Sequence, residues 1–243
     1  MEIKMKILAI DSSGLAATVA LLDDDILTGE YTIHNKKTHS QTLLPMIQDM
    51  LRMADVEIGD IDAVAAAAGP GSFTGLRIGA STAKGLAQAL DIPIVAVPSL
   101  EGLAFHFAGE TSLVCPMMDA RRNQTYYGIY DVSSGIPVAR QDQVAAPLEE
   151  AVQKVNDLGK PVIFLGDGVP VFRDQLDQLV KVPYRLANAA VRYQRASSVA
   201  VLGKYYLEQG KGMPAKEFVP IYLRLSQAER ERMEKGTGAA ASI

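Results

Sequence analysis

The chain has a single cysteine, Cys115, three histidines, and no apolar run long enough to span a membrane. One cysteine excludes an internal disulfide. Its place in Leu113-Val114-Cys115-Pro116-Met117-Met118 reads as core packing rather than a nucleophile, because no histidine stands near it in sequence. A lone reduced thiol suits the cytoplasm. The N-terminal apolar stretch Ile7-Leu8-Ala9-Ile10 stops at Asp11, short of what a signal peptide's hydrophobic region requires. The expectation is therefore a soluble intracellular protein with no membrane partner. A basic excess is missing too: 24 Lys and Arg against 28 Asp and Glu leave a formal charge of −4, which disfavours unaided nucleic-acid binding. Any RNA contact needs a local patch, such as Arg121-Arg122 or Arg185, Arg192 and Arg195, or a basic partner. Solvated surface charge is the plainer reading of those arginines.

What is present is an ordinary globular composition, 48% apolar and 21% charged over 243 residues, enough for one large or two small domains. The most informative stretch runs Ala65-Ala66-Ala67-Ala68-Gly69-Pro70-Gly71-Ser72-Phe73-Thr74-Gly75-Leu76-Arg77-Ile78-Gly79. It reads as a small-residue strand, a tight turn, and a helix starting near Ser72, whose free N–H groups favour an anion above the turn. Leu76-Arg77 follow Gly75 where a Walker loop needs Lys-Ser/Thr, and Thr74 stands where a dinucleotide fingerprint needs glycine. The alternative is a strand-to-helix turn that binds nothing.

The opening predicts a three-stranded meander: Ile7–Ile10, then Ala16–Leu22, then Ile26–Ile33, with Asp11-Ser12-Ser13-Gly14 and Asp23-Asp24-Asp25 as the turns. A helix follows from a Thr38 cap to Ala54, with Leu43, Ile47, Met50, Leu51 and Ala54 on one face. Leu44, Met46 and Met53 fall off that face and suggest a second, Met-rich surface for a partner, or burial on two sides. Ala63–Ala68, the helix carrying Gly79, Ala80, Ala83 and Ala87, and Pro93–Val97 form a strand-helix-strand unit. Leu113–Met118, Thr125–Asp131 and Ile136–Val144 then repeat the opening meander, which places Asp119 where Asp11 stands in the first. A strand at Pro161–Leu165, a helix at Ala196–Glu208 and a strand-like Phe218–Arg224 follow. Gln227–Lys235 is charged and helical in character, and Gly236–Ile243 is weakly patterned.

Two α/β halves, each with an aspartate at its first turn, resemble the actin-like ATPase (ribonuclease H-like) fold, with mixed sheets and a reduced second half. Within it, Ile10-Asp11-Ser12-Ser13, the stretch Gly69–Gly79, Asp119-Ala120-Arg121 and Tyr222-Leu223-Arg224 resemble the bacterial TsaB (YeaZ) family from about residue 6 to about 225. The domains expected are 1–104, completed by 216–226, then 105–215, with 227–243 as a tail. The resemblance implies a role in making threonylcarbamoyladenosine beside the anticodon of tRNAs that read codons beginning with A. It further implies that this chain is a non-catalytic partner of the transferase TsaD, in a heterodimer or heterotetramer that the ATPase TsaE joins, with tRNA met only through the complex. A homodimer of the isolated chain reuses the same surface. The expected interface is Leu43, Leu44, Met46, Ile47, Met50, Met53, Arg77 and Ala80.

The residues agree with a demoted enzyme. His34 and His39 stand five apart across a strand-to-helix junction and His106 is alone, so no histidine pair shares a helix face to hold a metal. Asp119 is followed by Ala120, Arg121 and Arg122, whose bulk obstructs the close approach of a loop to phosphates. Arg121 pairs either with a carboxylate such as Asp119 or with an acidic partner group, and Gln124 stands where the family commonly has glutamate. Asp11, Ser12, Ser13, Gly69, Gly71, Ser72 and Asp119 outline a vestigial phosphate site. No cofactor is required; ATP or ADP binding is left open only as a weak event or one at the partner interface. The competing reading is an independent enzyme, either an ATP-dependent small-molecule kinase using Asp11 and Asp119 or a peptidase. Against the peptidase stands the lack of a metal-ligand set or a Ser-His or Cys-His arrangement.

Overall fold

Ile7 to Ile10 are apolar without alternation, the pattern of a strand covered on both faces. In the computed structural model, which describes residues 5–35 and 37–224, this run is β1 (Lys6–Asp11), at the centre of a five-stranded sheet. Leu8 and Ile10 pack into one cluster with α1 (His39–Ala54) and α2 (Phe73–Leu90). Ile7 and Ala9 pack on the other face against α6 (Ala196–Glu208). β2 (Ala17–Asp23) pairs antiparallel to β1 with Asp11 opposite Thr18, and β3 (Ile26–Ile33) continues the meander after a turn at Asp24. β4 (Ala63–Gly69) and β5 (Ile94–Pro98) add in parallel, giving the order β3-β2-β1-β4-β5.

The second half repeats this order. After α3 (Ser99–Ala104), β6 (Leu113–Asp119), β7 (Gln124–Asp131) and β8 (Val138–Pro147) form the antiparallel meander. β9 (Val162–Leu165) and β10 (Tyr184–Leu186) add in parallel to β6, so the order is β10-β9-β6-β7-β8. α4 (Leu148–Leu158) precedes β9 as α1 precedes β4, and α5 (Gly168–Leu179) follows it as α2 follows β4. The fold is thus two related mixed-sheet α/β halves of the actin-like kind.

Several expectations need correction. Met46 is 4% exposed and sits in the core with Leu43, Ile47 and Met50, because 43, 46, 47 and 50 share one helical stripe. Thr38 occupies the cap position of α1 but gives no side-chain cap; its hydroxyl meets Ser40 instead. Helices α4 and α5 and strand β10 were not expected. Phe218–Arg224 is not a strand, although Ile221 N–H donates to the Ala68 carbonyl at 2.6 Å. α6 falls within the segment assigned to the second domain yet packs on the first sheet, with Val199, Ala200 and Leu202 against Ile7, Ala9 and Val95. The expected helix at Gln227–Lys235 and the weakly patterned end at Gly236–Ile243 lie outside the described residues.

Candidate functional site

The two halves face each other across a cavity of about 1160 Å³. On the first half, β1 delivers the turn Asp11-Ser12-Ser13 and β4 delivers Gly69-Pro70-Gly71-Ser72, and the two are bonded to each other. Ser72 N–H donates to the Ser13 carbonyl at 2.7 Å, and the Ser12 hydroxyl donates to the Gly75 carbonyl at 2.8 Å. Ser72 caps α2, accepting from Gly75 N–H at 3.2 Å. Ser13, Gly71, Ser72 and Arg77 line the cavity.

Asp11 does not. It is 2% exposed, its Oδ1 accepts the Ser13 N–H at 2.8 Å, and burial pushes its carboxyl up to about 6. Ser12 is equally enclosed, and the buried Ser13 hydroxyl stands beside the Asp11 carboxyl and partly offsets the effect of its burial. The first aspartate loop therefore turns its carboxylate into the protein.

On the second half, Asp119 lines the cavity at the end of β6 together with Asp167, which sequence reasoning passed over. Asp119 N–H donates to Asp167 Oδ1 at 3.1 Å. Burial, with the Asp119 charge beside it, pushes Asp167 up to about 6. The signal for Asp167 was present: Gly166-Asp167-Gly168 ends β9 as Gly69-Pro70-Gly71 ends β4, and Gly166 and Gly69 share positive φ, +100° and +110°. Arg121 reaches Asp119 through its backbone N–H, 2.8 Å from Oδ1, rather than through its guanidinium. Arg121, Arg122 and Asn123 all lie in the left-handed region, at φ 65°, 56° and 57°, and both arginines line the cavity. Gln124 contributes backbone bonds to this turn: its N–H donates to Arg121 and its carbonyl accepts from Ala120.

The other candidates are dispersed. His34 packs edge-on against Tyr193, His39 Nε2 meets the Gly14 carbonyl at 3.0 Å, and His106 Nδ1 meets the Val191 carbonyl at 2.9 Å. Among the described residues no His, Cys, Asp or Glu cluster has the makings of a metal site. Cys115 is fully buried in β6 and burial pushes its thiol well up. Arg185 pairs with Glu110, Arg192 with the Ala187 carbonyl and Arg195 with Glu30, so these three arginines tie the fold together. Of the expected interface residues, Leu43, Met46, Ile47, Met50 and Ala80 are core, while Leu44, Met53 and Arg77 are exposed. No helix of the described residues is long and apolar enough to cross a membrane.

A family model for TsaD, described as tRNA N6-adenosine threonylcarbamoyltransferase, matches residues 30–232. The chain is similar to the tRNA threonylcarbamoyladenosine biosynthesis protein TsaB of Bacillus subtilis, at 35% identity over 95% of this chain and 99% of that protein. The Escherichia coli protein of the same name is 29% identical over 90% of this chain and 95% of its own. Among solved structures, YeaZ from Pseudomonas aeruginosa matches with a TM-score of 0.77 at 28% identity, covering 90% of this chain and all of that one.

Proposed function

This chain belongs to the TsaB (YeaZ) family, and from that premise we propose that it acts in tRNA threonylcarbamoyladenosine biosynthesis as a non-catalytic scaffold and activator of the transferase TsaD, with TsaE joining the pair. The observation that carries the non-catalytic part is the withdrawal of Asp11 from the cavity. A kinase of this fold needs that carboxylate facing the phosphates and their metal ion. Here it is enclosed, and opposite it stand Arg121 and Arg122 on a turn that projects side chains where a phosphate loop needs glycine. Transfer chemistry belongs to TsaD in this reading, tRNA is met through the complex, and this chain requires no nucleotide of its own.

The docking surface is the exposed side of α1 and the adjoining start of α2, through Leu44, Met53 and Arg77. Leu44 and Met53 are 50% and 69% exposed and flank the buried stripe of α1 on opposite sides. A partner that covers both must straddle the helix. The same surface serves a second copy of the chain when TsaD is absent. The test is titration calorimetry with purified TsaD. The wild-type chain binds, and a Leu44→Glu, Met53→Glu, Arg77→Glu triple variant that keeps its melting temperature binds at least tenfold more weakly. No binding by the wild type contradicts the reading, and undiminished binding by the triple variant contradicts the surface.

A further inference from the structure

The segment that closes the described chain leaves the first half and ends on the second. Phe218 is anchored in the core of the first half, and Lys84 of α2 donates to its carbonyl at 3.1 Å. Three residues on, Ile221 N–H donates to the Ala68 carbonyl, and a Cβ on Gly69 would come 2.5 Å from the Ile221 carbonyl oxygen. Tyr222 lies on Phe73 with ring centroids 4.7 Å apart, and Arg77, stacked over the other partner of that pair at 3.9 Å, donates to the Tyr222 hydroxyl at 3.4 Å. Arg224 then crosses the cavity mouth: its guanidinium Nη1 bonds the Ala120 carbonyl and, at 3.3 Å, the Arg121 carbonyl.

Those two carbonyls stand at the start of a strained stretch of the cleft backbone. Arg121, Arg122 and Asn123 stand consecutively in the left-handed region, which is disfavoured for L-residues and least so for asparagine. Bonds within the turn, from Arg121 N–H to Asp119 and from Gln124 N–H to Arg121, hold its donors. The Ala120 carbonyl is held from the opposite half, and the Arg121 carbonyl is shared between Gln124 N–H and that half, by a guanidinium on a segment whose upstream end is fixed at three points.

We infer that Ile221–Arg224 is a strap by which the first half dictates the conformation of the cleft turn Ala120–Asn123 on the second, with Arg224 as the positioning residue. The strap sets where Arg121 and Arg122 face the cavity, and releasing Arg224 frees the turn while leaving the second sheet intact. This goes beyond the scaffold reading and does not depend on it.

The test is amide hydrogen exchange of the full chain, read by mass spectrometry in the absence of any partner. Arg224→Ala speeds exchange over Asp119–Thr125 by about tenfold, as loss of a charge-assisted bond to backbone predicts, while exchange in α4, which the strap does not touch, stays at its wild-type rate. Tyr222→Ala, which loosens the strap between its anchor and Arg224, gives a smaller acceleration at the same amides. Wild-type exchange over Asp119–Thr125 in Arg224→Ala overturns the inference. Should Arg224→Ala lower stability so far that every segment exchanges faster, Arg224→Lys decides, since it keeps the charge and loses the second bond: acceleration larger over Asp119–Thr125 than in α4 upholds the strap, and equal acceleration overturns it.

Discussion

The Ser12 hydroxyl donates to the Gly75 carbonyl, so the turn after β1 is bonded to the first turn of α2 through that one short side chain. Two glycines make this approach available. A Cβ at Gly75 would overlap the Ser12 carbonyl oxygen, and one at Gly79 would overlap the Ser12 hydroxyl. Helix propensity alone favours alanine at both sites by about 1 kcal/mol. The backbone oxygen cannot move aside, so Gly75→Ala is expected to lose about 2 kcal/mol net in urea unfolding. Gly79→Ala displaces only a hydroxyl; it loses less, and adding Ser12→Ala restores most of the loss. Wild-type stability for Gly75→Ala would show that the contact is slack.

Asp11 contributes an ionisation cost. Burial raises its carboxyl from 3.8 to about 6, so the folded chain binds a proton that the unfolded chain has released between those values. Stability is lost as pH rises through that window and stays lost above about 6. Asp11→Asn keeps an acceptor for the Ser13 N–H and removes the charge. It is expected to raise stability at pH 7, by on the order of 1–3 kcal/mol, and to give no gain at pH 3.5. Thermal unfolding of both proteins at the two pH values checks this, and equal effects at both would contradict it.

Glu30 behaves in the opposite sense. It is enclosed on β3, and although burial raises its carboxyl, bonds from Arg195 at 3.0 and 2.5 Å and from Ser197 at 2.8 and 2.7 Å outweigh that and hold it below the usual range. Its stabilisation is complete above the ordinary glutamate value near 4.5 and is lost as pH falls below it. Glu30→Gln should cost about 1–3 kcal/mol at pH 7, discounted toward the lower end because Arg195 is partly solvated, and the deficit should shrink at pH 3. A deficit that does not change between pH 7 and pH 3 would rule out the charge as its cause.

Met46 and Met53 separate core from surface on one helix. Met46→Glu places a carboxylate in the first-half core and should cost more than 3 kcal/mol, measured by denaturant unfolding. Met53→Glu, on a side chain that is 69% exposed, should change stability by less than about 0.5 kcal/mol. Comparable losses would mean that α1 is packed differently.

The sequence carried the fold where pattern and punctuation agreed. Ile26–Ile33 and Ala196–Glu208 match their elements residue for residue, since the turn Asp23-Asp24-Asp25 bounds the one and helical spacing marks the other. Methionine's adaptability suggests a surface role for Met46, but its spacing from Leu43 and Met50 places it on the buried stripe. α4 carries Leu148, Ala151, Val152 and Val155 at helical spacing, so its signal is legible in the sequence. α5 is masked by Gly166-Asp167-Gly168, which reads as a glycine turn after β9, and by Pro170, although proline is tolerated in a first turn. Ser13, Gly71, Ser72 and Asp119 line one cavity because they stand at the ends of strands, a position that the sequence pattern does mark. The burial of Asp11 and the reach of Arg224 to Ala120 depend on contacts 104 residues apart or on side-chain direction, which no local pattern encodes.

The proposed role is to support threonylcarbamoyl transfer without performing it. Its most direct test is product formation on unmodified tRNA with TsaD, TsaE, the threonylcarbamoyl-adenylate synthase, ATP, bicarbonate and threonine, with this chain present, omitted, or replaced by its Asp11→Asn, Asp119→Asn variant. The account predicts modified tRNA with the chain present, none with it omitted, and the double variant as effective as wild type. Equal product without the chain, or loss of product with the double variant, would contradict it.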